Sequence, residues 1–162
     1  MLQLISHDLK ATARRTLEEI FGGGDVAALA EVIHPDLVDH DGPPGAPGGL
    51  EGMAWSMGMV QAAFSERRWE LHQVVADHDT VVVVGSFHGR HTGAFLGLAP
   101  TSRSVAFRQV HIFRFQDGLV IEHWAVPDGL DLARQLGGPI PGPPSQPMLA
   151  DALAQLLSDL HP

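Results

Sequence analysis

Cysteine, tyrosine and asparagine are all missing from the 162 residues, and each absence closes off some chemistry. Without Cys there is no disulfide, no thiolate nucleophile and no zinc–thiolate site. Without Tyr no phenol can serve as an oxyanion donor. Basic charge is scarce: ten Lys and Arg, of which only Lys10 is a lysine, face nineteen Asp and Glu for a formal net charge of −9. Nucleic acid and anionic membrane are polyanions, so this balance argues against either as a partner. No apolar run approaches the roughly 20 residues that a membrane-spanning helix needs. Met1 to Leu9 mixes polar and apolar residues, with His7 and Asp8 where a signal peptide would carry its apolar stretch. The expected location is therefore cytoplasmic.

What is present reads as one globular domain, with 44% hydrophobic and 18% charged residues. Ten His stand out, so polar chemistry falls to His, Asp, Glu, Arg, Gln, Ser, Thr or the backbone. Leu9, Ala13, Leu17, Ile20 and Phe21 recur at helical spacing, and Gly22 to Gly24 end that helix. Those glycines follow a helix instead of a strand and lack a Lys-Ser/Thr ending, so they are no phosphate loop. Asp25 is placed to cap a short helix through Ile33, closed by His34 and Pro35, with a brief extended segment to His40. After the Gly- and Pro-rich loop 41–49, a helix is expected over Leu50–Phe64. From Arg68 the period becomes two: strands are expected over 68–76, 80–92, 104–115 and 119–126. Asp117-Gly118 marks a tight hairpin, and Asp128–Leu136 reads as a helix stopped by Gly137 and Gly138.

Helices followed by long antiparallel strands define an α+β fold, with the helices on one face of a curved sheet. The domain spans residues 1–137, a Pro-rich linker 138–147, and a C-terminal amphipathic helix 148–162 with Leu149, Leu153, Leu156, Leu157 and Leu160 in one stripe. If the hairpin pairs without interruption, Phe113 lies opposite Glu122, His111 opposite Trp124 and Gln109 opposite Val126. Gln109, His111, Phe113, Glu122 and Trp124 then share one face, with Asp128 just beyond it. Such polar groups either bond to one another or line a cavity, since burying each unsatisfied costs about 1–3 kcal/mol. The opposite face would carry Arg108, Val110, Ile112, Arg114, Leu119, Ile121 and His123, apolar enough for a homodimer contact.

The segments GGGDVAALAEVIHPDLVDHDG (22–42) and GRHTGAFLGLAPTSRSVAFRQVHIFRFQDGLVIEHWAVPDGLDLARQLG (89–137) resemble the SnoaL-like polyketide cyclases of the nuclear transport factor 2-like superfamily. The resemblance runs from about Leu9 to Gly137. It implies a cone-shaped, curved antiparallel β-sheet wrapped around the N-terminal helices, with an apolar pocket inside. It also implies intramolecular aldol-type ring closure with no metal or organic cofactor. A pocket Asp is the general acid/base in the family, and the matching position reads as Asp128. His91 and His40 match positions that recur there. A steroid-isomerase-like site would need a Tyr donor, and a limonene-epoxide-hydrolase-like site Tyr and Asn, which this chain lacks.

Each singled-out residue also has a plainer reading. Asp128 serves equally as the N-cap of the helix behind it. His111 is either a core histidine bonded to Glu122 or Gln109, or a donor to a substrate carbonyl. In both cases a nearby carboxylate is expected to raise its pKa. His40, between Asp39 and Asp41, also fits a solvated loop. Trp55 and Met57 pack a core or line an adaptable pocket. His88 and His91, three apart on a strand, point to opposite faces and cannot share a metal without a bulge, so no metal site is expected. The leading expectation is a cofactor-free cyclase or isomerase acting on an apolar, polyketide-like carbonyl compound, with Asp128, His111, His91 and His40 catalytic. The alternatives are a non-catalytic protein that binds a hydrophobic small molecule and a hydrolase on the same fold.

Overall fold

The computed structural model describes residues 2–138 and residue 155. Apart from Gly138 and residue 155, the expected linker and C-terminal helix lie outside the described residues. Helix α1, Leu2–Arg15, runs on into a π-helical turn, Thr16–Phe21. Leu9, Ala13, Leu17 and Ile20 are all buried, so the apolar spacing that predicts the helix is also what docks it. The buried Thr16 hydroxyl is satisfied by donating to the Thr12 carbonyl at 2.8 Å.

The next element departs from expectation. Only Ala27–Glu31 is helical, as a 3₁₀ turn, and Ile33–Asp39 is strand β1. Asp25 still caps the turn, accepting the Ala28 N–H at 3.2 Å. Ile33 and Leu37 are buried, which ties this segment to the core in extended form. β1 is an edge strand, where the missing N–H of Pro35 is tolerated.

Helix α2, Gly49–Ala63, leads directly into β2, Phe64–Asp77, four residues before the expected start at Arg68. Glu66 has φ 52°, and the pairing shifts between Ser65 and Arg68, so this early part of β2 is bulged. Strands β3 (Thr80–His91), β4 (Ser104–Gln116) and β5 (Leu119–Pro127) and helix α3 (Gly129–Leu136) complete the domain. The order across the sheet is β1-β5-β4-β3-β2. The sheet is curved and unclosed. All neighbours are antiparallel except β1 and β5, which run parallel.

The face toward α1 carries Val81, Val83, Phe87 and His91 from β3, and Val105, Phe107, His111, Phe113 and Phe115 from β4, all buried. Two apolar clusters fill this side. One joins the N-terminal helices to Phe113 and Phe115; the other joins Phe64, Phe87 and Phe107 to Leu132 and Leu136 of α3. Trp69 packs against both and marks the seam between them. At the hairpin, Asp117 (φ 51°) and Gly118 (φ 84°) both take the left-handed conformation that a two-residue I′ turn requires.

Candidate active site

The expected pairing across the hairpin holds for two residue pairs and then fails. Gln116 faces Leu119 and Phe115 faces Val120, but Arg114 faces Glu122, so β5 carries one extra residue, Ile121. Because side chains alternate along a strand, one inserted residue exchanges every later position between the two faces. From there Phe113 faces His123, Ile112 faces Trp124 and His111 faces Ala125. His123 therefore joins His111 and Phe113 inside. Trp124 and Glu122, expected to line the interior, lie on the outer face with Val110, Ile112 and Arg114. This overturns the shared face of His111, Glu122 and Trp124.

The exchange builds a hydrogen-bonded line across three strands. His111 Nδ1 lies 2.9 Å from His123 Nε2, and His123 Nδ1 lies 3.0 Å from Asp39 Oδ1. Asp39 is the register partner of His123 in the parallel β1–β5 pair, which brings the carboxylate beside the ring. Two neighbouring bonds pin the segment: the His40 N–H donates to the His123 carbonyl, and the Ala125 N–H donates to Asp41 Oδ2, both at 2.9 Å. His111 and His123 are each 4% exposed. The far nitrogen of His111, Nε2, is buried with no hydrogen-bond partner among the described residues.

The surroundings of His111 are aromatic. The Trp69 ring meets it edge-on at 4.9 Å, and Phe113 stacks at 5.9 Å. Burial, and then the nearby His123, hold the His111 imidazole well below the ordinary histidine range. The expected upward shift does not occur, because the carboxylate reaches His123 and His111 has only another imidazole beside it. Sequence reasoning missed Asp39 and His123. A signal was available: Leu119, Val120 and Ile121 form an apolar triplet, which strict alternation cannot accommodate in a half-buried strand.

His91 is fully buried at the other end of the same face. Its Nδ1 accepts the Thr101 N–H at 3.2 Å and lies 3.1 Å from the Thr101 hydroxyl. Its Nε2 is the second buried ring nitrogen without a partner among the described residues, with Phe64 at 5.4 Å between ring centres. Aromatic contacts continue from Phe64 through Phe87 to Trp69, and so to His111.

The other expected residues scatter. Asp128 is exposed and caps α3, its Oδ1 accepting the Asp131 N–H at 2.9 Å. It lines a groove of about 270 Å³ with Val84, Arg108, Val110 and Val126 of the outer face, and with Gln109 and Pro127. His40 stacks on Trp124 at 4.2 Å with the rings nearly parallel, and its Nε2 lies 2.9 Å from Glu122 Oε2. Met57 is buried in the core, whereas Trp55 is 42% exposed on α2. Among the described residues no three His, Asp or Glu are grouped so as to hold a metal ion. No described helix is long and apolar enough to cross a membrane.

A curved, unclosed sheet with helices against one face and buried polar groups between them is the nuclear transport factor 2-like architecture. Comparison with known proteins narrows it further. The sequence model of the SnoaL-like polyketide cyclases matches residues 11–136. The chain is 33% identical over 130 residues to nogalonic acid methyl ester cyclase of Streptomyces nogalater, covering 75% of this chain and 92% of the relative. It is 33% identical over 135 residues to the aklanonic acid methyl ester cyclase AcmA of Streptomyces galilaeus, covering 80% and 91%. Among solved structures, TsrD from Streptomyces laurentii aligns with a TM-score of 0.73 and 26% identity, over 86% of this chain and 99% of that one. IdmH from Streptomyces antibioticus gives 0.69 and 31%, over 80% and 98%. The chain belongs to the SnoaL-like polyketide cyclase family and is an enzyme of the cyclase class.

Proposed function

We propose that this protein closes a carbon ring on an apolar polyketide-like ester, of the type its relatives' names specify, by cofactor-free acid/base chemistry centred on His111. The supporting observation is the buried Nε2 of His111, left without a partner among the described residues at the aromatic seam. Leaving a polar atom so placed costs about 1–3 kcal/mol, which a substrate contact would offset. His111 removes a proton from the carbon next to one carbonyl. The resulting enolate carbon bonds to a second carbonyl carbon, and the alkoxide so formed takes up the proton. No atom is gained or lost. An imidazole held neutral at pH 7 keeps its lone pair available for the first step.

His91 complements it. Because Nδ1 accepts a backbone N–H, the neutral ring carries its proton on Nε2 and can donate to a substrate oxygen. Asp128 is assigned to helix capping in place of the acid/base role, since its carboxylate is exposed, already bonded to α3 and set among outer-face residues. The test is turnover of aklanonic and nogalonic acid methyl esters, followed by chromatography of substrate and cyclised product. His111→Gln is expected to lower kcat/KM by about 10²–10⁴-fold, the usual contribution of one acid/base group, with the circular dichroism spectrum unchanged. A folded variant with full activity would sink the assignment, as would a wild-type protein inert toward both esters.

A further inference from the structure

We propose that Asp39 and His123 are positioning residues that fix the tautomer of His111, making a directed proton line whose free end is an unprotonated Nε2. The inference rests on the reading of His111 as the acid/base group and adds what sets its direction. An ionised carboxylate can only accept, so at 3.0 Å His123 Nδ1–H is the donor to Asp39 Oδ1. A neutral His123 then has a bare Nε2, which at 2.9 Å must accept from His111 Nδ1–H. A neutral His111 has no second proton, so Nε2 is a lone pair. With Asp39 ionised, the two bonds leave one tautomer for each ring of the neutral line.

The same line also works when loaded. A proton taken from carbon bonds to His111 Nε2; the Nδ1 proton passes along the 2.9 Å bond to His123 Nε2. His123 is now an imidazolium paired with Asp39, and His111 is again neutral but carries its proton on Nε2. The positive charge rests beside the Asp39 carboxylate, away from Trp69, instead of on His111, whose Nδ1 meets only another imidazole. His111 Nε2–H is then the donor that the alkoxide needs. Proton release runs the sequence backwards and restores the starting state. Base first and acid second is the order that aldol-type ring closure requires.

Asp39→Asn tests the line with almost no change of shape. A carboxamide can turn its N–H₂ toward His123 Nδ1, which then accepts; the bond to His111 reverses, and His111 Nε2 becomes protonated. The ¹⁵N signals of histidine-labelled protein distinguish protonated from bare ring nitrogens without any substrate. In the wild type we expect His111 bare at Nε2 and His123 protonated at Nδ1; in Asp39→Asn, His111 protonated at Nε2. Turnover is expected to fall by about 10³–10⁴-fold, similar to the loss when the orienting Asp of a Ser-His-Asp triad becomes Asn and the His takes the wrong tautomer. A wild-type protein with a protonated His111 Nε2 overturns the proposal even if the variant does not fold. A folded Asp39→Asn protein with an unchanged His111 tautomer and full turnover also overturns it. If His111→Gln has meanwhile lost activity, the acid/base reading survives that second outcome. Loss of the line and loss of the base are thus separable.

Discussion

The two faces of the β4–β5 hairpin carry nearly the same residue types in opposite settings. Inside, an acid, two imidazoles and an indole (Asp39, His123, His111 and Trp69) form a line, with both imidazoles buried, and its aromatic wall. Outside, Glu122, His40 and Trp124 repeat the set in contact with water, with Arg114 added. Arg114 and His40 hold the Glu122 carboxyl below the ordinary range, and solvent screens what remains. Inside, burial and the neighbouring His123 keep His111 neutral, and its Nε2 has no partner among the described residues. Composition alone does not separate the two sets. Burial does, and burial is assigned by a single extra residue in β5.

Shifting the strand past that residue is the harshest way to break the comparison. Inserting one residue after Ile121, with the bulge kept, would send Glu122 and Trp124 inward and His123 outward, whereas deleting Ile121 would leave the partners of Arg114 and Phe113 unchanged. Leaving buried polar groups unsatisfied costs about 1–3 kcal/mol each, and a domain has roughly 5–15 kcal/mol in all. The insertion also strands Asp39 and empties the place of His123. We expect loss of cooperative thermal unfolding and of the near-ultraviolet circular dichroism signal. An insertion protein that melts within a few degrees of wild type would show that the register past Ile121 does not determine the faces.

The same bulge explains what the sequence could and could not tell. The Asp117-Gly118 turn, helices α1 and α2, the strand boundaries of β3 and β4, and the cap at Asp128 were legible because each depends on local chemistry: positive φ, helical spacing, a short side chain at a helix start. The segment Ile33–Asp39 was misread as partly helical because its extended form is imposed by pairing with β5, a partner more than eighty residues away. The inner line was illegible for the same reason. Asp39 meets His123 through a parallel edge pairing and His123 meets His111 only after the register slips. His111 and Phe113 were placed inside correctly because β4 alternates without interruption against β3. Glu122 and Trp124 were misplaced because their positions were counted through the slip.

A milder comparison sets Asp128 against the inner line. As a cap, Asp128 contributes through the Asp131 N–H, and Asp128→Ala is expected to cost about 1 kcal/mol. For a chain of this size that lowers Tm by about 3 °C. Asp128→Asn, which caps nearly as well, should leave both Tm and turnover close to wild type. Calorimetry and the ester assay together decide the point. A collapse of turnover in Asp128→Asn at unchanged Tm would return the acid/base role to this residue and take it from His111.

The smallest effect belongs to the outer set. Glu122→Gln removes the ion pairs with Arg114 and His40 but touches nothing inside, so turnover should stay within about twofold, as for other exposed pairs of little net worth. Its effect on stability should depend on pH with a definite sign. The folded-state carboxyl is held below its unfolded value of about 4.3, so its contribution is present above that pH and fades as the pH falls through the folded value. Wild type should therefore melt slightly above Glu122→Gln at neutral pH, and the two curves should converge in acid. If instead the gap persists unchanged to low pH, the residue stabilises through packing and not through charge. A fall in turnover as large as that expected for His111→Gln would mean that the two faces are coupled across the sheet, and the division between an outer set and an inner proton line would no longer hold.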